Sequence, residues 1–183
     1  MPRVVVTGLG LVSSIGSTLD DATAALREDG SGLVELPEMA EFGLAGRVYA
    51  PVQGWDPAKV SRRARLTMST AAMYAAAAAC DAIEDAALDL DRTDRGRVST
   101  LIGTTFGGIN EASKMHRLVT ARKKSRAGIT GAVKAMNATA SDNVAAMLGL
   151  QGRAYSASSN AVSGADNIGQ AYELIRHRLS DVV

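Results

Sequence analysis

Few side chains in this sequence are equipped for chemistry: one cysteine, two histidines, a pair of closely spaced glycines and two short basic runs. Gly8 and Gly10 follow the β-branched run Val4–Thr7, as in "RVVVTGLGLVSSIG", where a phosphate cradle would be sought. A dinucleotide-binding turn needs the pattern G-x-G-x-x-G and a helix opening at the turn to meet the pyrophosphate. Here the third position is Ser13, and the first helix-start signal is Ser17-Thr18-Leu19-Asp20. No helix dipole points into the turn, and no acidic residue stands about twenty positions on after a second strand. The turn therefore lacks most of what a phosphate cradle needs. Cys80 lies in an alanine-rich run with no histidine near it in sequence, and reads as an inert, packed thiol. His116, in the charged stretch "SKMHRL", and His177, in "IRHRL" near a helix end, read as surface residues.

The elements that must position these groups follow from pattern. Val4–Thr7 predicts a buried strand, and Ser17–Asp20 caps a helix running to about Arg27 and closed by Gly30. Arg47–Ala50 predicts a short strand, and Asp56–Lys59 a turn or single helical turn. Arg65–Ala87, "RLTMSTAAMYAAAAACDAIEDAA", predicts a long helix whose small residues surround it on several faces, so that it packs deeply between layers. Val98–Thr105 predicts a second buried strand leading into Phe106-Gly107-Gly108. Helices are expected over Asn110–Arg122, Ala132–Leu148 and Val162–Arg178, with a strand over Gly152–Ser159 and the start of another at Asp181–Val183. Strands alternating with helices imply an α/β fold with a mainly parallel sheet.

Composition bounds the rest. The 183 residues suit one domain with a sizeable core, built from Ala, Val, Leu, Ile and Met because aromatics are few. Eighteen glycines against four prolines imply tight turns and close backbone contacts. The formal net charge of +1 points to no nucleic-acid or membrane partner. No apolar run approaches the roughly 18 residues of a membrane span, and nothing resembles a signal peptide. A single cysteine forms no internal disulfide, which fits a reducing cytoplasm.

Three stretches carry a family likeness. "RVVVTGLGLVSSIG" (Arg3–Gly16) resembles the opening strand and turn of β-ketoacyl-acyl carrier protein synthases. "GTTFGG" (Gly103–Gly108) resembles a loop that lines their acyl pocket, and "YSASSNAVSGADNIGQAYELI" (Tyr155–Ile175) their nucleophile elbow and following helix. The spacing from Lys134-Ala135-Met136 to Tyr155 resembles the fatty-acid branch. The likeness implies a thiolase-like fold, the N-terminal half of an αβαβα five-layer architecture, with residues 1–183 as one domain incomplete at its C-terminal end. It also implies a dimer and a decarboxylative Claisen condensation with malonyl thioester. No cofactor is implied beyond the phosphopantetheine arm of acyl carrier protein, which brings the substrate.

The resemblance places the nucleophilic cysteine at Ala161. Alanine forms no acyl-enzyme, although its N–H remains available to an oxyanion hole. Natural loss, as in chain-length-factor partners of active ketosynthases, and an introduced Cys→Ala change both account for this. Asn160, where the family usually has a small alanine, favours natural loss. Phe106 matches a pocket-lining position, where its ring either shortens the acyl tunnel or is ordinary core. Met136 matches a methionine that reaches the pocket across the dimer interface, or fills a gap in an alanine-rich helix. Arg62, Arg63 and Arg65, with Arg122 and Lys124, fall at or near the basic surface that receives acidic carrier proteins, the alternative being solvated faces. Three functions remain: a ketosynthase-like partner or split-synthase half without its own nucleophile, an inactivated and truncated condensing enzyme, and a non-catalytic structural protein.

Overall fold

A computed structural model describes residues 3–123 and 128–183. The helices are α1 (Leu19–Arg27), α2 (Glu38–Glu41), α3 (Thr70–Asp85), α4 (Ile109–Thr120), α5 (Gly128–Ala135), α6 (Thr139–Leu148) and α7 (Ser163–Arg176). The strands are β1 (Val34–Glu35), β2 (Val48–Tyr49), β3 (Thr100–Leu101) and β4 (Ala154–Tyr155). Single 3-10 turns cover Pro57–Lys59, Ala64–Leu66, Arg95–Arg97 and Asn160–Val162. The α/β class expected from the sequence is the class observed.

β3 pairs in parallel with β4, Thr100 opposite Ala154 and Leu101 opposite Tyr155. Its other edge meets Val182 through a parallel bridge at Val98. Two connections, each containing a helix, thus return the chain to the same side, the arrangement that parallel pairing demands. β1 and β2 form a separate antiparallel pair.

The core lies between α3 and α6. Val60, Met68, Ala72, Ala76, Ala77, Ala140 and Val144 are buried together, with Ile102 from the strand side and Trp55 packed against them. Alanines on both helices let the backbones approach closely, and Trp55 meets Tyr74 edge-to-face at 5.1 Å between centroids. Ser69 caps α3, its Oγ accepting from the Ala72 N–H. That cap fixes the helix start at Thr70 and not at Arg65: residues 64–66 form their own 3-10 turn.

Other boundaries also differ from the sequence pattern. Helix α1 begins after its Thr18 cap, as expected. The helix expected over Ala132–Leu148 is two helices, broken at Met136–Ala138. Thr139 Oγ1 bonds to the carbonyls of Val133 and Met136 there, satisfying the end of α5 as the chain turns. The strands expected over Val98–Thr105 and Gly152–Ser159 shrink to two residues each, because both segments leave the sheet to build the loops described below. Val4–Thr7 is no strand: its backbone has no ladder partner among the described residues, and Val5 and Val6 are exposed.

Gly8 and Gly10 lie flat on α3. A Cβ on Gly8 would overlap the Ala82 carbonyl, and one on Gly10 the Ala78 carbonyl. The glycine pair thus serves backbone contact, with no helix opening above it. We expect Gly10→Ala to destabilise the chain by about 3 kcal/mol or more, while Gly46→Ala, with open space around it, stays within about 1 kcal/mol. Urea denaturation of both variants reads the difference.

Candidate functional site

The loop Gly103–Gly108 leaves β3 and meets three segments. At its start, a Cβ on Gly103 would overlap the Ser163 carbonyl in the first turn of α7, so strand end and helix start lie in direct backbone contact. Thr105 Oγ1 donates to the Asn160 carbonyl at 3.0 Å. Asn137, between α5 and α6, donates through Nδ2 to the Thr105 carbonyl at 2.6 Å. At the loop's far end, Gly108 packs on the Ala135 carbonyl. Residues near 105, 136 and 160 are thereby held in one neighbourhood, although 55 positions separate Thr105 from Asn160.

The segment before α7 is a sharp elbow. Asn160 is left-handed, with φ +58°, a conformation asparagine tolerates better than most side chains. Its carbonyl accepts from Ser163 Oγ at 2.6 Å as well as from Thr105. Ser163 Oγ in turn accepts from the Ser159 N–H at 2.9 Å, and Asn167 Nδ2 donates to the Ser163 carbonyl at 2.7 Å. Ala161 is exposed in this turn, two residues before α7. Ser159 Oγ donates to Asp166 Oδ2 at 2.8 Å, and Gln170 Nε2 donates to the same oxygen at 3.0 Å. Tyr155 OH donates to Gln170 Oε1 at 2.6 Å, which ties β4 to the middle of α7.

The family model for the β-ketoacyl synthase N-terminal domain matches residues 1–183. The chain belongs to that family. It is 31% identical to 3-oxoacyl-[acyl-carrier-protein] synthase 1 of Haemophilus influenzae over all of its own length and 45% of that protein's. Among solved structures, a β-ketoacyl synthase from Burkholderia phymatum superposes with a TM-score of 0.85 at 30% identity, covering 97% of this chain and 44% of that one. The ishigamide ketosynthase/chain length factor superposes equally well, also at 0.85, at 25% identity over 97% of this chain and 45% of that one. The fold is thus thiolase-like, and the chain spans about half the length of the relatives it matches.

Within this β-ketoacyl synthase domain, Phe106 is 70% exposed. Of the two readings of this ring, ordinary core does not match its exposure among the described residues. Its ring borders an open cleft of about 200 Å³ with Ser69, Ala71, Tyr74 and Ile109. Met136 is also exposed, one residue from the asparagine that anchors the loop. Arg62, Arg63 and Arg122 are exposed and Arg65 is half-buried, and none has a side-chain hydrogen bond or ion pair among the described residues. The Arg62–Arg65 run precedes the α3 end of that cleft. Arg122 lies past the far end of α4, some 18 Å along the helix; Lys124 lies outside the described residues. Cys80 is half-buried, its thiol pushed up by burial and by the neighbouring Asp81, in keeping with an inert role. His116 and His177 are exposed, as expected. No helix among the described residues is long and apolar enough to cross a membrane.

Sequence reasoning did not single out Thr105, Asn137 or Asp166. Thr105 and Asn137 adjoin residues that it did, Phe106 and Met136, but side-chain-to-carbonyl bonds across 32 and 55 positions leave no periodic trace. We expect Thr105→Val, which keeps shape but removes the donor, to raise amide hydrogen exchange at residues 160–163 about five-fold. Thr105→Ser should restore protection.

Proposed function

We propose that this chain is the N-terminal, ketosynthase-like part of a fatty-acid or polyketide condensing assembly, and that it brings no acyl nucleophile of its own. One observation carries the reading: Ala161 occupies the turn immediately before α7, at the corner where the family resemblance requires cysteine. A cysteine there takes an acyl group by sulfur attack on a thioester, with helix N–H groups receiving the developing oxyanion. A methyl group offers no lone pair, so the first covalent step has no acceptor on this chain. What remains is scaffold: the elbow, the loop bearing Phe106, the Met136 turn and a basic surface.

The chain would therefore work beside an active ketosynthase-type subunit, as a chain-length-factor-like partner or as half of a split synthase. Similarity to the ishigamide ketosynthase/chain length factor supports this reading. In either role Phe106 and Met136 shape the acyl tunnel from the non-catalytic side, and a phenyl ring shortens it. Acyl carrier protein, with its phosphopantetheine arm, delivers the substrate, and the chain needs no cofactor of its own. We place this assembly in the cytoplasm.

The docking surface we assign to the carrier protein begins at Arg62, Arg63 and Arg65 and continues to Arg122 and Lys124. Between Glu111 and Asp142 the sequence holds Lys114, Arg117, Arg122, Lys123, Lys124, Arg126 and Lys134 and no carboxylate. The whole chain carries only +1, so positive charge is concentrated on this stretch. Such a patch speeds encounter with an acidic partner and weakens with salt.

Native mass spectrometry of the assembly from its own cells should show this chain with a ketosynthase-type subunit. Condensation of acyl and malonyl thioesters by the chain alone would refute the reading. Arg63→Glu with Arg122→Glu should lower carrier-protein affinity about ten-fold at low salt, measured by calorimetry, and unchanged affinity would remove the docking surface.

A further inference from the structure

Phe106 and Met136 lie on segments well separated in sequence, and the structure fastens those segments together at two points. One tie is a backbone contact: Gly108 packs on the Ala135 carbonyl so closely that a Cβ would overlap it. The other is made by a side chain. Asn137 Nδ2 donates to the Thr105 carbonyl at 2.6 Å and reaches the Thr104 carbonyl at 3.4 Å. Phe106 therefore lies between tied residues 105 and 108, and Met136 between 135 and 137. One contact would let the two segments pivot on each other; two contacts, placed on either side of both residues, fix their separation.

The same segments are the two roots of the α4–α5 hairpin. α4 leaves the loop at Ile109, whose N–H bonds to the Phe106 carbonyl at 3.0 Å, and α5 ends at Ala135. These helices pack chiefly on each other, and neither has a buried residue among those described. Toward α3 an open cleft separates the start of α4 from Ala71 and Tyr74. The body of the chain thus grips the hairpin mainly at its roots. Thr105, which accepts the Asn137 bond, sends its own hydroxyl to the Asn160 carbonyl, so the tie continues into the elbow. We propose that Asn137 is a positioning residue that holds Phe106 and Met136 as one unit and thereby sets the length of acyl chain this side of the tunnel admits. The proposal rests on reading those two residues as tunnel wall. A phenyl ring on a slack loop yields to a longer chain. A ring on a loop tied at both ends yields only by breaking a hydrogen bond at half-buried Thr105.

Two variants test this: Asn137→Leu, close in shape but without a donor, and Asn137→Asp, which keeps the size and sets an acceptor against the carbonyls. In the full chain, amide hydrogen exchange is followed at Ile109 and Ala112, whose N–H groups bond to the Phe106 and Gly108 carbonyls. Exchange there should rise about five-fold in the Leu variant, and at least as much in the Asp variant. Exchange at Val144, in the core between α3 and α6, should not change. No rise at 109 and 112, or an equal rise at 144, overturns the tie. In the assembly with its ketosynthase-type subunit, supplied with acyl and malonyl carrier thioesters, the Leu variant should give products longer by one or more two-carbon units. Products of unchanged length overturn the specificity, whatever their rate of formation. Should the unaltered assembly make no product, the function proposed above fails and the specificity with it, while exchange in the chain alone still decides whether Asn137 fixes the loop. If the Leu variant does not fold, the Asp variant carries both measurements.

Discussion

Direct contact between the end of β3 and the start of α7 is the constraint from which the site follows. Gly103 sits on the Ser163 carbonyl with no room for a Cβ, so helix and strand are fixed relative to each other at backbone precision. With that distance set, Thr105 reaches the Asn160 carbonyl and Ser163 Oγ reaches both that carbonyl and the Ser159 N–H. The left-handed Asn160 is held by these bonds on both sides, which is how an unfavourable backbone angle persists. Loosening the Gly103 contact would shift every donor in the elbow together.

The same economy of side chains explains the core. Ala72, Ala76 and Ala77 on α3 face Ala140 and Val144 on α6, and glycines 8 and 10 lie across α3 at its outer carbonyls. Small residues leave little surface per contact to bury, so stability comes from closeness and not from large apolar groups. Lys59 paired with Asp81 bridges the Pro57–Lys59 turn to the middle of α3. That pair is partly exposed, and it contributes orientation more than energy.

Much of this was legible in local chemistry. Thr18 announces α1 because a hydroxyl before an acidic first turn satisfies free N–H groups. The glycine turn is excluded as a phosphate cradle because no helix opens above it. The failures share a different cause. Val4–Thr7 has the composition of a strand, but a strand exists only where another backbone completes its ladder, and none does among the described residues. Met136–Ala138 breaks a helix that periodicity would continue, because Thr139 caps the turn from within. Phe106 admits two readings by type, tunnel wall or core, and its exposure follows from a loop whose position depends on Asn137 and Asn160. Composition reports what a residue prefers, and these residues obey bonds made far along the chain.

The elbow's architecture and its chemistry are separable, and that separation makes a non-catalytic descendant physically reasonable. Among the described residues, the side-chain bonds that shape the turn come from Thr105, Ser159, Ser163, Asp166, Asn167 and Gln170, and none from residue 161. The side chain at residue 161 can therefore change without disturbing the backbone that presents it. The converse does not hold. Thr105 and Ser163 carry no reacting atom, yet losing either would release the turn. A family member that abandons acyl transfer but keeps its place in an assembly thus has one position free to change and several that must stay.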